Sequence, residues 1–178
     1  MLIETLRREA PIIHCYTNMV TVNQVANALL AIGAKPIMSV DAEEFEDIAT
    51  ISQALYLNIG TLQRNQVPIM LQAIKAHHQQ GHPIVLDPVG VGASHLRTEV
   101  AKTLLATGYI TAVRGNLSEI KFLIGQGTGA AGVDANVDDA AQSALDQAMA
   151  VAAQAAKALH TMVAISGPVD VVHDGIHG

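Results

Sequence analysis

Short apolar runs alternate with longer amphipathic stretches along almost the whole chain. Ile12–Tyr16, Pro36–Val40, Leu55–Ile59, Pro83–Leu86, Ile110–Val113 and Met162–Ile165 have the length and composition of buried strands. The segments between them carry a helical period. Val22–Ile32 lines up Val22, Val25, Ala26 and Leu29 on one stripe, and Gly33 follows where a helix ends in the left-handed conformation. Ala42–Gln53, Val67–Gln80 with Gly81 behind it, Leu96–Ala106 and Leu117–Ile124 repeat the pattern. Pro68 stands in a first turn, where a missing N–H is tolerated. Asp138–His160 is rich in alanine, with high helix propensity and a shallow apolar face. That pattern predicts a covering helix on the solvent side, or a close-packed interface helix. Gly125–Asn136 before it reads as a glycine-rich loop. Strands alternating with helices predict an α/β fold, a mainly parallel sheet with helices on its faces.

Composition narrows the functions. A chain of 178 residues fits one domain, 1–178. Half its residues are apolar and 15% are charged, which excludes a disordered chain. The formal charge of −6 and the lack of a basic patch speak against nucleic acid as partner. No apolar stretch reaches the ~18–20 residues of a membrane span. Met1–Glu9 has no signal-peptide core. A single cysteine, Cys15, makes no internal disulfide, consistent with a reducing cytoplasm. So few charges leave apolar surface that is expected to be buried between subunits.

In open parallel sheets, ligands bind beyond the C-terminal ends of the strands. Polar or flexible residues stand at those ends: Asn18 after the first strand, Met38 and Ser39 at the second, and Asn58, Gly60 and Thr61 at the third. Asp87 to Ala93 end the fourth, Arg114-Gly115-Asn116 the fifth with Glu119 one turn on, and Ser166-Gly167 the sixth. Turns also use such residues, but their recurrence at one edge favours a binding site. Asp87 leaves the buried run Ile84-Val85-Leu86, so its carboxylate must be paired, coordinated or hydrogen-bonded. It suits hydrated Mg²⁺, which takes one or two carboxylates plus phosphate oxygens, or equally a turn cap. Arg114 suits bidentate phosphate recognition or an ion pair. Asn116 and Glu119 share a face of a first helical turn, where Glu119 favours the helix dipole or reaches a metal. Gly90-Val91-Gly92 is neither a P-loop nor a dinucleotide fingerprint. The eight histidines form no metal motif. His77 and His78 diverge on a helix, His82 lies in a turn, and all three are expected at the surface. Cys15 reads as a small buried hydrophobe rather than a nucleophile.

Several blocks together are more specific. They include His14-Cys15-Tyr16-Thr17-Asn18, Leu57-Asn58-Ile59-Gly60-Thr61, Val85-Leu86-Asp87-Pro88-Val89-Gly90-Val91-Gly92-Ala93, Arg114-Gly115-Asn116-Leu117-Ser118-Glu119, Gly132-Val133-Asp134 and Ile165-Ser166-Gly167. In this order the chain resembles the hydroxyethylthiazole kinase family, of the ribokinase-like superfamily. The resemblance implies ATP- and Mg²⁺-dependent phosphorylation of the hydroxyl of 4-methyl-5-(2-hydroxyethyl)thiazole in thiamine biosynthesis or salvage, by a cytoplasmic homotrimer. Carried over, Met38, Asn18, Gly60 and Thr61 match the thiazole pocket. Arg114, Ser166 and Asn116 match nucleotide contacts, with serine where threonine is commoner. Asp87 and Glu119 match positions associated with Mg²⁺ and phosphate. Family members continue past residue 178 into a glycine-threonine-glycine-cysteine element that forms the anion hole. The resemblance therefore implies a C-terminally incomplete kinase domain with its catalytic element outside this chain. Gly127-Thr128-Gly129 only echoes that element, being followed by Ala130. A catalytically silent thiazole-binding or scaffold protein, and a related pyrimidine or pyridoxal kinase, are the alternatives.

Overall fold

The computed structural model describes residues 2–127 and 137–178, with side chains from 3 to 127 and from 143 to 178. From residue 128 on, the loop read at Gly125–Asn136, with Thr128, Gly129 and Gly132-Val133-Asp134, lies outside the described residues. The chain divides into two units, Met1–Asp87 and Pro88–Gly178.

The first unit runs α1 (Leu2–Glu9), β1 (Ile12–Tyr16), α2 (Val22–Ile32), β2 (Lys35–Met38), a 3₁₀ turn (Ala42–Glu44), α3 (Phe45–Ile51), β3 (Ala54–Asn58), a second 3₁₀ turn (Arg64–Gln66), α4 (Val67–Gln79) and β4 (Ile84–Asp87). Its four strands pair in parallel, with β1 between β2 and β3 and with β4 beside β3. The register sets Cys15 against Met38 and Asn58 against Asp87, so polar strand ends share one edge. Leu55, Leu57, Ile84 and Leu86 from the strands are fully buried, as are Phe45, Met70 and Ile74 from α3 and α4. α2 differs. It begins and ends where the period predicts, with Gly33 at φ 101°, yet none of its residues is buried. Leu30 and Ile32 stay exposed on it, as do Met19 and Val20 just before it.

The second unit holds α5 (His95–Leu105), β5 (Ala112–Asn116), α6 (Leu117–Leu123), α7 (Val137–Leu159), β6 (Met162–Ser166) and β7 (Val171–His173). β5 and β6 are parallel, and β7 runs antiparallel to β6. α7 buries Ala148, Val151, Ala152, Ala155 and Ala156, a stripe at helical spacing, while Met149 faces out. It packs on α6, β6 and β7. Small side chains make that face thin but not weak, because they let the helix come close to the strands.

Most elements lie where the hydrophobic period places them, and the exceptions have local causes. β5 starts two residues later than its apolar run. The Ile110 carbonyl accepts the Thr161 hydroxyl at 2.9 Å and the Thr111 carbonyl accepts the Met162 N–H at 3.2 Å, so the ladder opens at Ala112. Arg114 and Asn116 therefore lie within the strand, not after it. The helix expected over Ala42–Gln53 is split, because the Asp41 carboxylate accepts the Glu43 N–H at 3.0 Å and starts a 3₁₀ turn first. The hydrophobic pattern does not predict α1 or β7: the first mixes charges, and the second has only three residues. The expectation of a surface position fails for His77, which is fully buried.

Candidate functional site

At the polar edge of the first unit, one hydrogen-bond network joins β1, β3 and β4. Asn18, two residues past β1, uses its whole amide. Its Oδ1 accepts the N–H groups of Val20 and Thr21 at 2.9 and 3.2 Å, and its Nδ2 donates to Asn58 Oδ1 at 2.6 Å and Thr21 Oγ1 at 2.9 Å. Asn58, the last residue of β3, donates from Nδ2 to Asp87 Oδ2 at 3.0 Å and to the Tyr56 hydroxyl at 3.1 Å. The Tyr56 hydroxyl donates to the same Asp87 oxygen at 3.0 Å. Asp87 is 5% exposed, and these donors meet the requirement that a buried carboxylate be hydrogen-bonded. Its rotamer is fixed by groups that are themselves fixed.

Gly60 closes this cluster. Its N–H donates to Asn58 Oδ1 at 2.8 Å, and a Cβ at this position would run into the Asn18 amide. Gly60→Ala is expected to lower stability by about 1–3 kcal/mol, the usual cost of overpacking. A thermal melt checks this, and a curve like that of the parent would mean that Asn18 is not pinned. Met38 is half-buried at the end of β2, and Thr61 is exposed in the turn beyond β3.

In the second unit, Glu119 ties two pieces of main chain. Its Oε1 accepts the Gly90 N–H at 2.8 Å and its Oε2 the Asn116 N–H at 2.9 Å, while Asn116 Oδ1 accepts the Glu119 N–H at 2.9 Å. The last two bonds are a capping box that opens α6. The Pro88–Ala93 loop is further held by Arg97 Nη1 on the Val89 carbonyl at 2.7 Å and by the Gly92 N–H on Thr98 Oγ1 at 3.1 Å. Gly92 sits at φ 88°, and a Cβ there would strike the Phe122 ring, so both backbone and space demand glycine. Arg114 and Asn116, two residues apart on β5, expose their side chains on the same side of the strand. Ser166 pairs in register with Asn116, and its hydroxyl donates to the Gly115 carbonyl at 3.4 Å.

The structure thus gathers Asn18, Gly60 and Asp87 in one unit, and Asn116, Glu119, Arg114 and Ser166 at one strand edge of the other. Among the described residues, no three His, Cys, Asp or Glu side chains close into a metal cage. Asp87 and Glu119 are single hard-oxygen donors, the kind Mg²⁺ takes beside phosphate oxygens. Cys15 is buried, and burial pushes its thiol up to about 12, so it is inert as expected.

Sequence reasoning missed Tyr56 and a buried histidine chain, and it gave Arg97, part of an Arg97-Thr98-Glu99 block shared with the family, no role. Tyr56 stands two residues before Asn58 and so faces the same way, a readable signal. His77 falls on the buried stripe of Met70, Ala73 and Ile74, at spacings of seven, four and three.

Parallel strands joined through helices, with polar residues at their C-terminal ends, give an α/β architecture of the ribokinase-like class. A solved pyridoxal kinase from Staphylococcus aureus shares this fold at a TM-score of 0.63, over 93% of this chain and 68% of its own, with 17% identity. The Hydroxyethylthiazole kinase family model matches residues 3–177, and the chain belongs to that family. A hydroxyethylthiazole kinase of Clostridium beijerinckii is 45% identical over 174 residues, covering 98% of this chain and 63% of the relative. One from Clostridium acetobutylicum is 46% identical over 172 residues, covering 96% and 63%. The solved hydroxyethylthiazole kinase of Pyrococcus horikoshii OT3 superposes with a TM-score of 0.85 at 36% identity, over 98% of this chain and 62% of that one. The chain therefore spans less than two thirds of the length of these relatives.

Proposed function

We propose that this chain carries the thiazole- and nucleotide-binding residues of an ATP-dependent kinase that phosphorylates the hydroxyl of 4-methyl-5-(2-hydroxyethyl)thiazole in the cytoplasm, for thiamine biosynthesis or salvage. The supporting observation is the Asn18–Asn58–Asp87 network, which holds a buried carboxylate at the strand edge where such sheets bind ligands. Met38, Asn18, Gly60 and Thr61 are the thiazole contacts. Arg114, Ser166 and Asn116 serve the nucleotide, with the guanidinium on a phosphate. Asp87 and Glu119 are the carboxylates for Mg²⁺. The ion, when bound, would offset phosphate charge; the protein's part is positioning, which phosphoryl transfer chiefly requires. The exposed apolar residues of α2, with Met19 and Val20 beside them, support a homotrimer in which other subunits cover them.

The test is transfer of labelled γ-phosphate from ATP to hydroxyethylthiazole, by this chain alone and by this chain joined to the C-terminal third of the C. beijerinckii relative. Transfer by the joined form is expected. Saturable thiazole binding with no transfer by either form would replace the kinase with a silent binder, and neither binding nor transfer would overturn the reading. Within that assay, Arg114→Ala is expected to raise the KM for ATP roughly 10- to 100-fold, the loss of a charge-assisted hydrogen bond. Thiazole affinity should hold, whereas equal loss of both would make Arg114 structural.

A further inference from the structure

Three histidines of the first unit form a continuous chain from a half-buried turn to the end of β2. His82 Nδ1 lies 3.3 Å from His77 Nδ1, His77 Nε2 lies 2.9 Å from His14 Nδ1, and His14 Nε2 lies 3.2 Å from the Ser39 carbonyl oxygen. His14 and His77 are fully buried, and the Phe45 ring packs on His14 with centroids 5.3 Å apart.

The direction of every bond follows from the last one. A carbonyl only accepts, so His14 Nε2 carries the hydrogen. A neutral imidazole has one N–H, so His14 Nδ1 accepts, and His77 must donate from Nε2. His77 Nδ1 then accepts, which requires His82 to hold its hydrogen on Nδ1. The Ser39 carbonyl thus fixes three tautomers in series. Ser39 is itself buried, and its hydroxyl donates to Glu44 Oε1. It is therefore clamped at both its carbonyl and its side chain, and it directly follows Met38.

Packing alone does not account for this. An aliphatic side chain would fill the His77 position on the apolar stripe of α4. What it would not supply is a donor to His14 Nδ1, and without one that nitrogen is a buried unpaired acceptor. We propose that His82, His77 and His14 are positioning residues, a one-way hydrogen-bond chain that fixes the Ser39 carbonyl and, through it, the pocket position of Met38. The effect on thiazole rests on the function proposed above; the effect on Met38 does not.

The test begins with nitrogen-15 NMR of histidine-labelled protein at pH 8. His14 and His77 are expected as Nε2–H tautomers and His82 as the Nδ1–H tautomer. His82 in the Nε2–H form would overturn the chain. His77→Leu is then expected to return His82 to the Nε2–H form, shift the Met38 methyl resonance, and weaken thiazole binding roughly three- to tenfold, as loss of one net hydrogen bond allows. His77→Gln, which keeps a donor, should restore most of the affinity. An unchanged Met38 resonance in a folded His77→Leu would overturn the positioning role. Should that variant not fold, His77→Asn, polar but short, reads the same resonance. Absence of thiazole binding by the parent would defeat the proposed function alone, since tautomers and Met38 resonance are read without ligand.

Discussion

Asp87→Asn is expected to leave the first unit folded and to reduce phosphoryl transfer by about a hundred- to a thousandfold. The two halves of this result have separate causes. Asp87 Oδ2 accepts from Tyr56 and Asn58, and an asparagine carbonyl oxygen in its place accepts both. The network joining β3 and β4 therefore survives, and the melting temperature should move by only a few degrees. The charge does not survive. In the proposed function the carboxylate helps hold Mg²⁺ against the phosphates, and removing one preorganised electrostatic group costs about 10²–10³ in rate in a well-studied hydrolase. The measurement is kcat at saturating ATP and thiazole in the joined form, beside a melting curve. Loss of fold with loss of activity would show Asp87 to be structural. Full activity in a folded variant would remove it from the site.

The second large effect is on stability in acid. Desolvation lowers the pKa of His77 from 6.5 to about 4, helped by repulsion from His14 and His82. Desolvation also lowers His14, against the opposing pull of the Ser39 carbonyl and Glu44. The unfolded chain takes up these protons near pH 6.5, and the folded chain resists them. Between those pH values the unfolded state binds more protons, so stability falls as pH falls. The contribution is whole above pH 6.5 and is lost as pH drops through the folded pKa. For His77 the loss is on the order of 3 kcal/mol by pH 4. Urea midpoints between pH 8 and pH 4 should fall steeply for the parent and more gently for His77→Leu. Parallel curves would mean that the buried imidazoles are not what acid attacks.

These two residues also show what the chain makes legible. Asp87 could be read from sequence because a charged residue ending a run of Ile, Val and Leu has few fates. Asn18, Asn58 and Gly60 were legible as strand-end residues, but the network that joins them depends on register. Met38, Thr61 and Ser166 were legible as strand-end positions too, but their binding roles came only from the resemblance, since a methionine, threonine or serine at a strand end carries little chemical signal of its own. The apolar run puts Arg114 and Asn116 after a strand; Thr161 and Met162 bond the carbonyls before it, and the paired strand runs on over both. For His77, residue type and position point in opposite directions. Histidine is commonly exposed, yet the spacing from Met70, Ala73 and Ile74 already put it inside. Its partners stood beyond reading, because 63 residues separate His77 from His14 and only the fold brings their rings together. The α2 surface was half legible. Low overall charge implied buried interfaces, but an apolar period reads alike whether the cover comes from the same chain or another.

Thiazole binding is the claim on which the other assignments depend, and isothermal titration of this chain with hydroxyethylthiazole tests it most directly. The account predicts one saturable site per chain, weakened by Gly60→Ala in a protein that remains folded. Absence of saturable heat from a folded chain would contradict it.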